Sequence, residues 1–142
     1  MFKKYFTLQE ANKLLPAVRE ELAHLQYLQR EFQAVYYQLQ AVKKAELEGK
    51  TKDTDDIFML ESTIDFLEIQ AQCYVRQLEQ AGIFIKSIDE GLVDFPAKVE
   101  GQSVLLCWKQ GEEFITHYHH LFESFKKRKK IYSTDDEIEG GL

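Results

Sequence analysis

The chain has little of what makes loops and covalent staples. Its 142 residues include only seven glycines, two prolines and two cysteines. So few glycines and prolines exclude long coil regions and low-complexity linkers. Cys73 and Cys107 are too few for a disulfide framework, and both stand in apolar surroundings that read as free buried thiols. No run of about 18 apolar residues occurs, so no segment is suited to span a membrane. The polar opening lacks a signal-peptide pattern, which makes a reducing cytoplasm the expected location. Basic charge is in deficit: 18 Lys and Arg against 24 Asp and Glu give a net charge of −6. Such a field does not favour nucleic acid or an anionic membrane. A P-loop, a dinucleotide-binding glycine fingerprint, an HExxH pattern and paired-cysteine motifs are also missing.

Hydrophobic residues make up 44% and charged residues 30%, a soluble globular composition, and ten Phe and seven Tyr supply large apolar area. One domain is expected over residues 1–132, with residues 133–142 as an acidic disordered tail. Thr7-Leu8-Gln9-Glu10 is a capping box with Phe6 and Ala11 at the staple positions, so a helix starts at Thr7. Pro16 predicts a kink there, or a short opening helix. Ala11, Val18, Leu25, Phe32 and Leu39 then step by seven, with Leu14, Leu28, Val35 and Val42 three residues on, carrying an amphipathic helix to Leu47. A polar turn follows, and a second helix is expected over 54–81, with Ile57, Ile64, Ala71 and Leu78 stepping by seven and Gly82 as its stop. Two long helices with a short connection form an antiparallel hairpin with coiled-coil seams.

From Ile83 the period changes to that of strands. A three-residue loop ending at Gly91 pairs Ile88 with Leu92 and Lys86 with Asp94. A two-residue loop at Glu100-Gly101 pairs Asp94 with Cys107 and Val93 with Trp108. The result is a three-stranded antiparallel meander over 83–108, with Lys86, Asp94 and Cys107 in one row. After Gly111 a helical stripe of Phe114, Tyr118, Leu121, Phe122 and Phe125 predicts a C-terminal helix over 112–128. The fold class is therefore α+β, mostly α: a long helical hairpin, a β-meander and a C-terminal helix.

Three constellations carry chemistry. On a helix, Glu113, His117 and His120 fall at i, i+4 and i+7, a face fit for a divalent transition metal, though a solvated polar face has the same pattern. Cys107 beside Asp94, with His119 as base, has the parts of a nucleophile. An apolar setting would instead raise the thiol pKa and make it inert. The basic run at 126–130 suits phosphates, but it lacks the interleaved aromatics of a single-strand binder and reads as a solvated helix end.

The stretches Tyr5–Asn12 with Leu14-Leu15-Pro16, Asp89–Ala97 (DEGLVDFPA) and Val104–Trp108 followed by Gly111-Glu112 resemble the bacterial family called domain of unknown function 2203 (DUF2203). The resemblance covers nearly everything up to Ile131. It implies a small cytoplasmic protein with no established activity. It also implies a glutamate at Glu112, a histidine at His119 and a basic residue at Arg128, which shifts the metal reading from the Glu113/His117/His120 face to Glu112 with His119. Ser124-Phe125 and Lys127-Arg128 stand where the family usually has Gly-Phe and Gly-Arg.

Two functions follow as expectations. The first is a non-enzymatic interaction module, pairing with itself as a homodimer or with another protein through the helical hairpin, and needing no cofactor. The second is a small-ligand or metal site, enzymatic or not, at which Asp94, Cys107, Glu112, His119 and Arg128 converge with Trp108 as a wall. The first is preferred on the length of the heptad stripe.

Overall fold

The computed structural model describes residues 2–50 and 54–131 and the backbone of 138–139. The tail expected from Ser133 onward lies outside the described residues, apart from Ile138 and Glu139. The capping box forms as expected: Thr7 Oγ1 accepts from the Glu10 N–H at 3.0 Å, and the Thr7 N–H donates to Glu10 Oε1 at 3.3 Å. Helix α1 then runs over Leu8–Leu47 and α2 over Thr54–Gln80. Pro16 does not split off a short opening helix. It lies on the exposed side, while Ala11, Leu15 and Val18 are buried on the other and hold that turn in place. At the end of α2 the Ile83 N–H donates to Leu78 O and the Gly82 N–H to Glu79 O, with Gly82 at φ +87°. This is the left-handed glycine stop that the sequence signals.

The chain divides into two compact units, Met1–Leu22 with Val75–Leu142, and Ala23–Tyr74. The second unit is helical in its described residues apart from the turn at 48–50. Its α1 segment buries Leu25, Leu28 and Leu39, and its α2 segment half-buries Ile57, Leu60, Ile64, Leu67, Ala71 and Tyr74, the expected heptad positions. His24 and Tyr74, from the two helices, bring their rings within 4.6 Å. Cys73 is exposed, against the expectation of a buried thiol.

The first unit holds the sheet. Strands β1 (Phe84–Ser87), β2 (Leu92–Val99), β3 (Gln102–Lys109), β4 (His117–His120) and β5 (Lys129–Lys130) lie in that order, all neighbours antiparallel, and β6 (Ile138–Glu139) pairs with the end of β2. The expected β2–β3 register holds, with Asp94 opposite Cys107 and Val93 opposite Trp108. Glu100 at φ +50° and Gly101 make the two-residue turn. The expected β1–β2 register does not hold. Phe84 pairs with Asp94, Ser87 with Leu92, and Lys86 sits in an irregularity between. Ser87 Oγ accepts from the Glu90 N–H at 3.1 Å, which draws residues 88–91 into a longer turn than expected and shifts the strand. Gly91 closes that turn at φ +68°, and a Cβ there would lie 2.5 Å from the Gln110 Cβ, so no other residue fits.

The meander thus grows beyond three strands, and the expected C-terminal helix over 112–128 is absent. Residues 117–120 form a strand instead. Phe114, Ile115, Thr116 and Tyr118 are β-formers, and the open edge of β3 offers that segment a ladder. A 3-10 turn over Phe125–Lys127 follows, then β5 at the sheet edge, where two lysines oppose further strand addition. The basic run is therefore a turn and an edge strand.

Alternation on β2 and β3 sends Val93, Phe95, Ala97, Val104, Leu106 and Trp108 to one face, all fully buried. There they meet Leu8, Ala11, Leu15, Val18, Leu22 and Leu78 from the helical segments of the same unit and Phe6 just before α1, with Phe6 edge-on to Phe95. The other face carries Asp94, Pro96, Leu105 and Cys107.

Candidate metal and ligand site

That second face is buried yet polar. Asp94 and His119 are each only 2% exposed, and Cys107 is buried beside them. The β2–β3 ladder sets Asp94 opposite Cys107, and the β3–β4 ladder sets Leu105 opposite His119, one diagonal step from Cys107. A ligand atom from each of Asp94, Cys107 and His119 lies within 4.8 Å of the others.

His119 Nδ1 stands 2.9 Å from the His120 carbonyl oxygen. A carbonyl only accepts, so Nδ1 carries the proton and Nε2 faces the cluster. Nε2 lies 3.4 Å from Asp94 Oδ1, an ion-pair distance, yet Oδ1 has no hydrogen-bond partner. Burial pushes the Asp94 carboxyl above the usual range, against the opposing pull of His119, Lys86 and Cys107. Burial, with the nearby Asp94 charge, pushes the Cys107 thiol up to about 12. A thiol so protonated is a poor nucleophile, which counts against the Cys107 nucleophile reading for the metal-free protein.

The donor set suits a cation. A ring nitrogen, a thiolate sulfur and a carboxylate oxygen are ligands of zinc-like divalent metals, and three protein ligands leave a fourth position open. An Nδ1–H held by a backbone carbonyl is the usual support of a ligating histidine. Tetrahedral coordination needs donors about 3.3–3.8 Å apart. A contraction of about 1 Å from the widest separation would suffice.

The cluster opens into a pocket of about 690 Å³, also lined by Lys86, Ser87, Glu90, Leu92 and the turn residues Leu121–Lys126. That volume is typical of small-molecule sites.

The other expected site residues are placed differently. Glu112 is engaged by Arg128, at 3.1 and 2.9 Å, and by the Lys109 N–H at 2.8 Å. Burial raises its carboxyl, but these partners outweigh that and hold it below the ordinary glutamate value. Glu112 is therefore not offered to His119 as a co-ligand. Arg128 also lies 4.2 Å from the Phe125 ring centroid, so the Glu112–Arg128 pair braces the turn over the pocket. Trp108 faces the core, its indole N–H bonded to Glu112 O at 2.9 Å, and it is not a pocket wall. The face of Glu113, His117 and His120 needed a helix. On a strand, His120 points away from His117, and His117 Nδ1 pairs with Thr116 Oγ1 at 2.8 Å. The pocket residues Leu121–Lys126 were not anticipated; two phenylalanines among polar residues were the available signal.

A family model described as "Uncharacterized conserved protein (DUF2203)" matches residues 4–131. No curated protein and no solved structure matches the chain. No described helix is long and apolar enough to cross a membrane.

Proposed function

The chain belongs to the DUF2203 family, and we propose that it is a metal-dependent small-ligand protein whose cation is held by Asp94, Cys107 and His119 at the floor of the pocket. The observation that carries this reading is the buried Asp94 Oδ1. A buried carboxylate oxygen without a hydrogen-bond partner is costly unless something else satisfies it. A divalent cation would do so, and would displace the Cys107 thiol proton and oppose the burial that raises the Asp94 carboxyl. Elemental analysis of full-length protein purified without a histidine tag tests it. About one zinc-like ion per chain is expected, lost in Cys107→Ser and in His119→Ala. Protein that neither retains nor takes up a stoichiometric metal refutes it.

A second reading rests on the helical unit. Phe58, Met59, Phe66 and Ile69 of α2 are exposed and fall within an arc of about 100° at 100° per residue. That apolar stripe supports self-association through the hairpin, the activity expected from the heptads. Light scattering of the wild type and of Phe66→Ser/Ile69→Ser decides it. A dimer that becomes a monomer supports the reading, and a monomeric wild type at high concentration removes it.

A further inference from the structure

The pocket also constrains what the open coordination position would receive. Its floor is the Asp94–Cys107–His119 cluster, and its walls divide by chemistry. Leu92, Leu121, Phe122 and Phe125 are apolar, and Phe122 is 97% exposed although it lines a concave site. A large aromatic left in water at a pocket mouth is surface that a bound apolar group would cover. Lys86 and Lys126 are the two cationic linings, and neither has a carboxylate within ion-pairing distance among the described residues. Lys86 is near enough to act on Asp94 through its charge, which puts it beside the floor. Glu90 and Glu123 line the pocket too, but Glu123 is already bound to the His120 N–H at 3.1 Å and lies 3.9 Å from Lys129.

A divalent cation on the floor meets two anionic ligands, Asp94 and Cys107, and the centre is then neutral. Lys86 remains beside the floor, so a cation stands next to the open position. From this juxtaposition, and resting on the metal reading above, we infer that the site takes an amphipathic carboxylate. Its anionic head would complete the metal's coordination beside Lys86, and its apolar body would lie against Leu121, Phe122 and Phe125. A head without a body leaves the Phe122 surface in water, and a body without a charge leaves the lysines unpaired.

Cobalt(II) titration of the full-length, chelator-treated protein separates this inference from the reading beneath it. Cobalt–thiolate charge-transfer absorption and visible d–d bands, both absent in Cys107→Ser, report the metal site alone. If wild type gives no such bands, both proposals fall. With cobalt in place, 4-phenylbutyrate should change the d–d bands. It should bind about tenfold tighter than 4-phenylbutan-1-ol, which lacks the charge, or acetate, which lacks the body. Lys86→Ala/Lys126→Ala should keep the cobalt spectrum and lose about tenfold in 4-phenylbutyrate affinity. Normal cobalt bands with an acid no better than the alcohol or acetate would overturn the ligand class and leave the metal site standing. So would a double variant that binds the acid as wild type does.

Discussion

Asp94→Asn separates a metal ligand from a merely buried carboxyl. The two side chains are nearly equal in volume, and Asp94 Oδ1 has no hydrogen bond to lose. Without metal, the change should therefore move stability by about 1 kcal/mol or less. With metal the expectation differs sharply. Zinc at 100 times its Kd stabilises the wild type by about 2.7 kcal/mol. For a chain of this length that corresponds to a rise in Tm of about 10 °C. A neutral amide oxygen is a much poorer ligand than a carboxylate, and a hundredfold loss of affinity is a reasonable expectation. The same zinc concentration then equals the variant's Kd, and stabilisation falls to about 0.4 kcal/mol, or about 1–2 °C. Differential scanning fluorimetry of chelator-treated wild type and variant, with and without zinc, reads both numbers. Equal zinc shifts in the two proteins would place the metal elsewhere, and no shift in either would remove it. In both cases Asp94 Oδ1 is not a metal ligand.

Three further outcomes follow from the geometry. An aromatic disulfide reagent should label the exposed Cys73 quickly in native protein and reach Cys107 only on unfolding, because the buried thiol is held up to about 12; two fast thiols would contradict this. Glu112→Gln should cost about 1–3 kcal/mol at pH 7, where the pair with Arg128 is intact. Since the Glu112 carboxyl is depressed, its contribution is present above the ordinary glutamate value of about 4.3 and lost as pH falls through the folded value. Urea unfolding should therefore show the wild-type advantage shrink toward pH 3, and a constant gap would refute the assignment. Gly91→Ala should destabilise by at least about 1–2 kcal/mol, from a positive φ and a Cβ 2.5 Å from Gln110; a Tm equal to wild type would show that the turn relaxes.

The local signals and the long-range pairings were legible to different degrees. The capping box at Thr7 and the glycine stop at Gly82 depend on contacts within a few residues, and both stand in the structure; the positions that step by seven in both helices are buried or half-buried as their period signals. The Glu100-Gly101 turn fixed the β2–β3 register because a two-residue loop leaves no slack, and with it came the Asp94–Cys107 pair. The β1–β2 register was lost to one side-chain bond, from the Glu90 N–H to Ser87 Oγ, which lengthened the turn.

By itself, then, the sequence determined the first two helices, the core-facing alternation of β2 and β3, and the Asp94–Cys107 pair, and it named His119 as their neighbour. Only the tertiary structure decided that His119 arrives on a strand and not on a helix. Phe114, Tyr118, Leu121 and Phe125 satisfy a helical period, and nothing local distinguishes that from a strand followed by a turn. The open edge of β3 settles the matter, because its unpaired backbone groups gain a ladder from residues 117–120 that an isolated helix does not supply. That choice turns His119 inward to Asp94 and Cys107, turns His120 away, and leaves Glu112 to Arg128.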